Sequence, residues 1–443
     1  MHRHSAPLAL LAAGLLAACS GAPPESRASA DSLPRPSADA SSQASSMRPE
    51  SRQTRVLPGL EVLLRDSSHL VRGKRVGLIT NQTALTSRGE HAVDVLARAP
   101  EVRLVALYGP EHGVRGNIEG GEAIANQRDS ATGVPVFSLY GRTQKPTPEM
   151  LRGVDVLLFD IQDIGARPYT FVWTMAMAME AAAAQKIPFV VLDRPNPITD
   201  RVNGGLMELA IKTQRIGQPI TGYYPVPLRH GMTVGEVARY VNAEYRVGAD
   251  LHVVPADGWR SSQWFDQTGL RWVNPSPNIR SLDASLKYAG LVLTEATNLT
   301  IGRGTDAPFS YLGAPWMDAP RVLEAVRKYD LRGVRLDTVR ITPTGTGYVP
   351  YRGQSVRAIR FTVTDRDAWD PAFTTLALLT EIRRLHPSQF KIEDPPGFTQ
   401  MLGSRWAKAA FDAGTDPREI QRRWNEELRA WMPIRDRYRI YPR

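Results

Sequence analysis

Residues 154–160 read VDVLLFD, in which four successive apolar residues, 156–159, are followed by an aspartate. Four more short runs of this kind flank it, and the stretches 90–98 and 170–186 between them have the composition of helices. Continuous apolar strands that alternate with helices are typical of a parallel sheet covered on both faces. The pattern therefore predicts an open, doubly wound α/β domain. The other runs are RVGLIT (75–80), VRLVALY (102–108), VPVFSL (134–139) and PFVVLD (188–193).

Polar residues follow four of these predicted strands at the point where each strand ends. The carboxyl ends of parallel strands meet at one edge of the sheet, and ligands of such sheets bind beyond that edge. Four polar loops at one edge indicate a pocket rather than four unrelated turns. The candidate residues in these loops are Asn81, Glu111, His112, Arg115, Asp160, Asp163, Arg167, Tyr169 and Asn196.

Several classes of site are excluded by what the sequence lacks. No GxGxxG follows the first strand and no GxxxxGK[ST] occurs, so the turns that hold a nucleotide phosphate are missing. No GxSxG elbow or HExxH pair occurs, and a single cysteine excludes a disulfide framework and a cysteine-rich zinc site. The net charge of +10 is spread along the chain, which favours anionic partners without selecting nucleic acid. We therefore expect no nucleotide, no other cofactor and no metal.

The sequence changes character after Trp259. A capping box, Thr233 to Glu236, opens a helix to about residue 245, and 251–254 is a possible sixth strand. His230, just before that helix, is equally consistent with a structural and a functional role. Further on, the apolar residues 291–294 predict a short strand that leads into EATNLTIGRGT (295–305), which contains Glu295, Asn298, Arg303 and Thr305. Later segments predict strands near 334–341 and 357–364 and helices near 371–385 and 417–431, the pattern of an α+β domain.

The N-terminus has the features of an exported protein. Residues 1–18, MHRHSAPLALLAAGLLAA, predict a secretory signal, and the following Cys19 completes a segment that resembles the lipobox of bacterial lipoproteins. The rest of 19–55 is rich in serine and proline and nearly free of large apolar residues, so we expect a disordered tether. Two domains, 56–262 and 263–443, would follow. The position after the cysteine is Ser20 and not aspartate, which favours the outer membrane.

Taken in order, the motifs resemble the exo-β-N-acetylmuramidase family from about Val56 to the C-terminus. The resemblance implies a Rossmann-like N-terminal domain, a smaller C-terminal domain and an active site in the cleft between them. It also implies release of N-acetylmuramic acid from the non-reducing ends of peptidoglycan fragments during cell-wall recycling. The matching segments are GPEHGVRG (109–116), DIQDIGARPYTF (160–171), LDRPNP (192–197), RHGMTVGE (229–236), NPSPN (274–278), EATNLTIGRGT (295–305) and GAPW (313–316).

The sequence departs from this family at two positions. Family members often carry glycine where this chain has Ala296, and many carry an acidic residue where it has Ile301. Isoleucine cannot act as an acid, so a role that rests on a carboxylate at position 301 is not transferred to this chain.

Glycoside hydrolysis requires an acid for the leaving oxygen and a second group that stabilises positive charge or activates water. Glu111 matches the glutamate of the family's PEHG motif and is our candidate general acid/base. Glu295 is the candidate second carboxylate; Asp160, Asp163 and the substrate's own acetamido group are alternatives. The lactyl carboxylate of muramic acid calls for a cation, for which Arg115, Arg167 and Arg303 are candidates. The resemblance also implies substrate contacts for Asn81, His112, Tyr169, Asn196, His230, Asn298 and Thr305.

Two other classes of function fit the same features. One is a non-catalytic lipoprotein that binds cell-wall fragments, and the other is an amidase or esterase on the same scaffold. All three hypotheses share a glycan partner derived from peptidoglycan and a lipid anchor at Cys19. They place the protein in the bacterial envelope, at the periplasmic face of the outer membrane.

Overall fold

The computed structural model describes residues 55–111, 113–116, 127–141, 143–212 and 220–443. The predicted signal, Cys19 and nearly all of the tether lie outside these residues, as does His112. The strands are β1 Arg75–Thr80, β2 Arg103–Gly109, β3 Gln127–Arg128, β4 Pro135–Ser138, β5 Val156–Asp160, β6 Phe189–Leu192, β7 Asn203–Leu206, β8 Pro227–Arg229, β9 Leu251–Val254, β10 Tyr311–Ala314, β11 Val334–Ile341 and β12 Val356–Val363. The helices are α1 Gly59–Asp66, α2 Ala92–Arg98, α3 Phe171–Ala184, α4 Val234–Glu244, α5 Leu282–Leu291, α6 Ala319–Val326, α7 Pro371–Leu385, α8 Pro395–Leu402, α9 Arg405–Asp412 and α10 Pro417–Asp436.

A seven-stranded sheet with the order β3-β4-β2-β1-β5-β6-β9 forms the centre of the first half. Every neighbouring pair is parallel except β3 and β4, which are antiparallel at one edge. The six parallel strands, numbered along the chain, follow the order 3-2-1-4-5-6 of a Rossmann sheet. The predicted α/β class and all six predicted strands are confirmed, and the short antiparallel strand β3 was not predicted.

The sheet is covered on both faces because its side chains alternate. Leu157 and Phe159 of β5 pack in the same apolar cluster as α3 and α4, whereas Val156 and Leu158 pack with α1 and α2. Since successive residues of a strand point to opposite faces, a strand buried on both sides must be apolar throughout. This explains why residues 156–159 show no polar alternation.

The C-terminal part contains a small antiparallel sheet with the order β10-β12-β11, packed with α6 and α7. Its apolar residues belong to the same core cluster as α3, so the core is continuous, and the described residues form one compact unit. A smaller α+β part is therefore confirmed. The domain boundary at residue 262 remains a prediction from sequence.

The predicted strand at 291–294 is wrong. Leu291 ends α5, and Val292–Thr294 continue it as a turn of 3₁₀ helix in which all three residues are buried. A run of four buried apolar residues fits a strand and a buried helix equally well, because burial on all sides removes the periodicity that separates them. Ser281 caps the start of α5, with its side chain accepting a hydrogen bond from the Ala284 amide.

Two features stabilise the first half: the capped start of α4 and contacts from the C-terminal residues. The predicted capping box of α4 is confirmed, with Thr233 and Glu236 each accepting from the other's amide. The chain beyond α10 returns to the same region: the Tyr441 hydroxyl donates to Asp193 at 2.7 Å and the Ile440 amide donates to Glu236 at 2.8 Å. Residues 440 and 441 therefore supply hydrogen-bond donors to two buried carboxylates of the first half. No helix within the described residues is both long and apolar enough to span a bilayer.

Candidate active site

The point where the strand order reverses, between β1 and β5, is filled by the protein's own side chains. Arg194 contacts Asp160 through two hydrogen bonds of 2.5 and 3.1 Å, and its third nitrogen donates to the Leu85 carbonyl at 2.9 Å. The two side chains are only 4% and 0% exposed. A cavity of about 20 Å³ remains there, with Trp272 in its wall. Asp160 is thus the counter-ion of Arg194, and this geometry does not support a role for it as a substrate ligand.

Two predicted asparagines hold turns at the same edge of the sheet. The Asn81 side-chain oxygen accepts from the amide and hydroxyl of Thr83 at 3.0 and 2.5 Å. The Asn196 side chain donates to the Met232 carbonyl at 2.9 Å and accepts from the Ile198 amide at 3.1 Å. Both side chains are buried and these contacts shape the loops that carry the site, while the Asn81 side-chain nitrogen has no hydrogen-bond partner within the described structure.

Asp163 and His230 form a buried acid–imidazole pair. One oxygen of Asp163 accepts from the Gly165 amide at 2.7 Å and lies 3.5 Å from His230 Nε2. His230 Nδ1 accepts from the Met232 amide at 3.2 Å, which assigns the proton of a neutral ring to Nε2. His230 Nε2 and Asp163 Oδ1 have no hydrogen-bond partner within the described structure. Buried polar atoms are nearly always paired, so two unpaired ones at this edge indicate a place for a polar ligand.

Glu111 begins the loop after β2 and lies against the loop after β5. Its Oε2 accepts from the Thr170 hydroxyl at 3.3 Å, and the adjacent residue Tyr169 is nearly buried. Burial raises the pKa of the Tyr169 hydroxyl well above its usual value, the nearby Ser276 hydroxyl lowers it, and the charges of Glu111 and Asp163 raise it. The two carboxylates therefore lie within electrostatic range of one phenol.

A second tyrosine connects this group to the C-terminal part. The ring of Tyr288, in α5, packs edge-on against Tyr169 at 5.8 Å and against Phe309 at 5.1 Å. Burial raises the pKa of the Tyr288 hydroxyl well above its usual value, and the charges of Glu295 and Glu111 raise it further. Glu111 and Glu295, from the two halves of the chain, thus both act electrostatically on Tyr288.

Glu295 is ion-paired with Arg303, and both side chains are partly exposed, at 26% and 23%. The guanidinium also lies over the Phe309 ring, 5.3 Å from its centre. The pair is therefore held between the aromatic cluster and solvent, where a charged sugar substituent can reach it.

The other two predicted arginines have different surroundings. Arg115 is held by Asp94 at 2.8 Å and by Asp129 at 2.9 Å, so its charge is already balanced. Arg167 is fully buried and donates to the Met401 carbonyl at 2.7 Å, and burial lowers its pKa to about 9. Of the three arginines, Arg303 is the one whose charge acts on both Tyr169 and Tyr288.

Asn298 and Thr305 stabilise the segment that carries Arg303. The Asn298 side chain donates to the Gln389 carbonyl and accepts from the Lys391 amide, both at 2.8 Å. The Thr305 hydroxyl donates to the Gly302 carbonyl at 2.6 Å. All three contacts are within the protein, so these two residues position the loop.

Comparisons with known proteins show the family to which the chain belongs. Residues 76–283 match the family model described as exo-β-N-acetylmuramidase NamZ, N-terminal, and residues 286–441 match the corresponding C-terminal model. The chain belongs to this family. It is 38% identical over 403 residues to the peptidoglycan β-N-acetylmuramidase NamZ of Bacillus subtilis (strain 168), covering 91% of this chain and 95% of that protein.

Two solved structures of DUF1343 family proteins from Bacteroides fragilis NCTC 9343 have the same fold. One superposes with a TM-score of 0.80 at 32% identity, covering 87% of this chain and 99% of that one. The other has a TM-score of 0.70 at 26% identity and covers 88% and 99%. Membership of the NamZ family decides among the three hypotheses in favour of the glycosidase.

The two family departures have ordinary packing in this chain. Ile301 is 4% exposed and lies in the core cluster, and Ala296 is 5% exposed, its carbonyl accepting from the Glu393 amide at 2.8 Å. Position 301 is thus part of the core here.

Sequence reasoning missed Thr170, Ser276 and Tyr288 as site residues. Ser276 lies in the NPSPN motif, which by itself indicates a rigid loop and no chemistry. Tyr288 lies on a helix among apolar residues, where a tyrosine is usually part of the core. Thr170 directly precedes α3, and nothing in its neighbours indicates that it reaches Glu111.

Proposed function

We propose that Glu111 and Glu295 are the two carboxylates of the exo-β-N-acetylmuramidase reaction that this glycoside hydrolase catalyses. The observation that carries the proposal is the chain of contacts that joins them across the two halves. Glu111 binds Thr170, and Tyr169, the residue before Thr170, packs on Tyr288 at 5.8 Å. Tyr288 packs on Phe309 at 5.1 Å, and the ring of Phe309 lies 5.3 Å from Arg303, the ion-pair partner of Glu295. The reaction removes N-acetylmuramic acid from the non-reducing ends of peptidoglycan-derived glycans.

Glu111 acts as general acid and base. It gives a proton to the glycosidic oxygen as the bond from that oxygen to C1 breaks, and later takes a proton from the water that adds to C1. Thr170 donates to one carboxylate oxygen and so limits the rotation of the side chain. Glu111 lies two residues after the end of β2, at the edge of the sheet.

Glu295 is the second carboxylate, and Arg303 fixes its orientation through their ion pair. Asp163 is the remaining alternative on the protein, because it has an unpaired oxygen and faces His230. The substrate's acetamido oxygen can also attack C1, in which case a carboxylate accepts hydrogen from the amide nitrogen. Asp160 is less suited to either role because Arg194 binds both of its oxygens.

Arg303 is also the proposed cation for the lactyl carboxylate. Within the described structure its guanidinium contacts Glu295 through Nη2, which leaves the other nitrogens for a second anion. A guanidinium can hold a carboxylate through two parallel hydrogen bonds, a geometry that separates muramic acid from glucosamine.

The test compares Glu111→Gln and Glu295→Gln with wild type on a muramic acid–glucosamine disaccharide, with products identified by mass spectrometry. We expect Glu111→Gln to lose about 100- to 10,000-fold in kcat/KM with an unchanged melting temperature. Glu426→Gln, on the exposed side of α10, is the matched control and should behave as wild type. Full activity of Glu111→Gln would remove that residue from the acid role.

We further propose that Cys19 carries a lipid and anchors the enzyme at the periplasmic face of the outer membrane. The support is the apolar segment that ends at this residue, the lack of aspartate after it and a substrate found in the envelope. Cys19→Ala should move the protein from the membrane to the soluble fraction, and mass spectrometry of the mature N-terminus should find the acyl groups on wild type alone. An unmodified wild-type cysteine would contradict the proposal.

A further inference from the structure

The connection between β11 and β12 is unusually long for a hairpin. The two strands pair up to Ile341 and Val356, so residues 342–355 form the loop. Hairpin loops usually contain about 2–5 residues, and longer ordered loops commonly serve binding. The loop reads TPTGTGYVPYRGQS, with Tyr348 near its middle.

Three contacts tie this loop to the segment that carries Glu295 and Arg303. The Thr344 amide donates to the Gly304 carbonyl at 2.8 Å, and the Tyr351 hydroxyl donates to the Asn298 carbonyl at 2.7 Å. Val349 packs closely on Gly304, because a Cβ atom added at Gly304 would lie 2.6 Å from Val349 Cγ1. Because Gly304 adjoins Arg303, the loop is fastened on both sides of Tyr348 to the wall of the site.

Tyr348 itself is not part of the packing. It is 71% exposed, whereas Tyr169, Tyr288 and Phe309 of the same region are each at most 9% exposed. A single exposed aromatic residue is common on protein surfaces, so exposure alone indicates nothing. Partial burial raises the pKa of its hydroxyl, as do the charges of Glu393 and Glu295, and Arg303 lowers it. Tyr348 therefore lies within electrostatic range of the proposed second carboxylate and lactyl cation.

An exo-acting enzyme holds the terminal sugar at the closed end of its site and lets the rest of the glycan extend toward solvent. The closed end here contains the buried atoms of Asp163, His230 and Tyr169. Tyr348 extends into solvent from a loop that is fastened to the segment carrying the Glu295–Arg303 pair. It is thus on the side where the departing sugar must lie.

We propose that Tyr348 is the stacking platform for the leaving-group sugar, the N-acetylglucosamine on the far side of the cleaved bond. Pyranose rings have one face lined by C–H groups, and that face packs on an aromatic ring with loss of apolar surface to water. The hydrogen bonds of residues 344 and 351 hold the loop that carries the ring. Less conformational entropy is therefore lost when a sugar binds. This inference rests on the proposed function, since it concerns the sugar on the other side of the glycosidic bond that Glu111 and Glu295 are proposed to cleave.

The test uses two substrates that differ in their leaving group. One is the muramic acid–glucosamine disaccharide, and the other is N-acetylmuramoyl β-fluoride, whose leaving group has no ring. Tyr348→Ala should lose about tenfold in kcat/KM on the disaccharide, mainly through KM, and keep its activity on the fluoride. Tyr348→Phe retains the ring and should stay within about twofold of wild type on both. Leu209→Ala, at the other large apolar side chain that is exposed in the described structure, is the matched control.

The outcomes are separable. Equal losses on both substrates, or no loss on the disaccharide, would overturn the platform while leaving the reaction intact. A wild-type enzyme that turns over neither substrate would overturn the proposed reaction and the platform with it. Melting temperatures of the variants within about 2 °C of wild type would show that the losses are not due to unfolding.

Discussion

The buried pair of Asp160 and Arg194 provides a quantitative test of whether the acidic residue after β5 is structural or catalytic. Asp160→Asn keeps the size of the side chain and removes its charge, which leaves the guanidinium of Arg194 buried without a counter-ion. Charge centres about 4 Å apart interact by about 4 kcal/mol at an effective dielectric constant of 20. Removing one member of a buried pair typically costs about 3–5 kcal/mol. We therefore expect Asp160→Asn to lower the free energy of unfolding by about 4 kcal/mol.

The assay is urea unfolding followed by tryptophan fluorescence, in a double-mutant cycle with Arg194→Met. Arg194→Met also loses the hydrogen bond to the Leu85 carbonyl, so it should cost at least as much as Asp160→Asn. The double variant contains no buried charge at this position and should be more stable than the sum of the single losses predicts. A cycle that is additive within about 0.5 kcal/mol would show that the two charges are not coupled.

Catalysis is measured on the same variants at a temperature where each is folded. If Asp160 is structural, Asp160→Asn should keep kcat/KM within about fivefold of wild type. A loss of stability below about 1 kcal/mol together with a loss of 1,000-fold or more in kcat would refute this reasoning. It would then make Asp160 a catalytic group.

Two further predictions concern stability elsewhere. Hydrogen bonds from Arg115, and to a smaller extent from Thr132, lower the pKa of Asp129 from 3.8 to about 2. This carboxylate therefore stabilises the fold above pH 3.8. It loses that contribution of about 2 kcal/mol as the pH falls toward 2. Asp129→Asn should therefore flatten the fall in melting temperature between pH 5 and pH 2, and an unchanged slope would contradict this. A Cβ at Gly290 would lie 2.1 Å from the Pro371 carbonyl oxygen where α5 meets α7. Gly290→Ala should thus lower the free energy of unfolding by about 1–3 kcal/mol in urea titrations, and a change below 0.5 kcal/mol would show that α5 shifts freely.

The parts of the fold that sequence predicted well are those set by local patterns. The six parallel strands are mainly apolar because both faces of the sheet are covered, and Thr233 and Glu236 at i and i+3 mark the start of α4. The segment at 291–294 failed for the same reason that the strands succeeded, since a fully buried run has no periodicity.

The parts that sequence could not predict are pairings between distant residues. Glu111 and Glu295 were named from family motifs, but their common electrostatic effect on Tyr288 depends on how α5 packs against the loop after β5. Asp160 remained a candidate because the sequence did not reveal its ion pair with Arg194. That arginine follows another strand, and no spacing rule links the two residues. The sequence identifies the charge of an arginine but not the carboxylate with which it forms an ion pair.

The return of the chain to the first half bears on how the protein is made. Tyr441 and Ile440 supply donors to Asp193 and Glu236, which are synthesised about 200 residues earlier and are buried in the finished fold. A ribosome adds residues at about 5–20 per second, so these carboxylates wait on the order of ten seconds or more for their partners. During that interval Asp193 has the Thr233 hydroxyl and the Gly235 amide as donors, and Glu236 has the Thr233 amide. The last donors to these two buried carboxylates therefore arrive only when the chain is complete, so the first half reaches its full set of hydrogen bonds only at the end of synthesis.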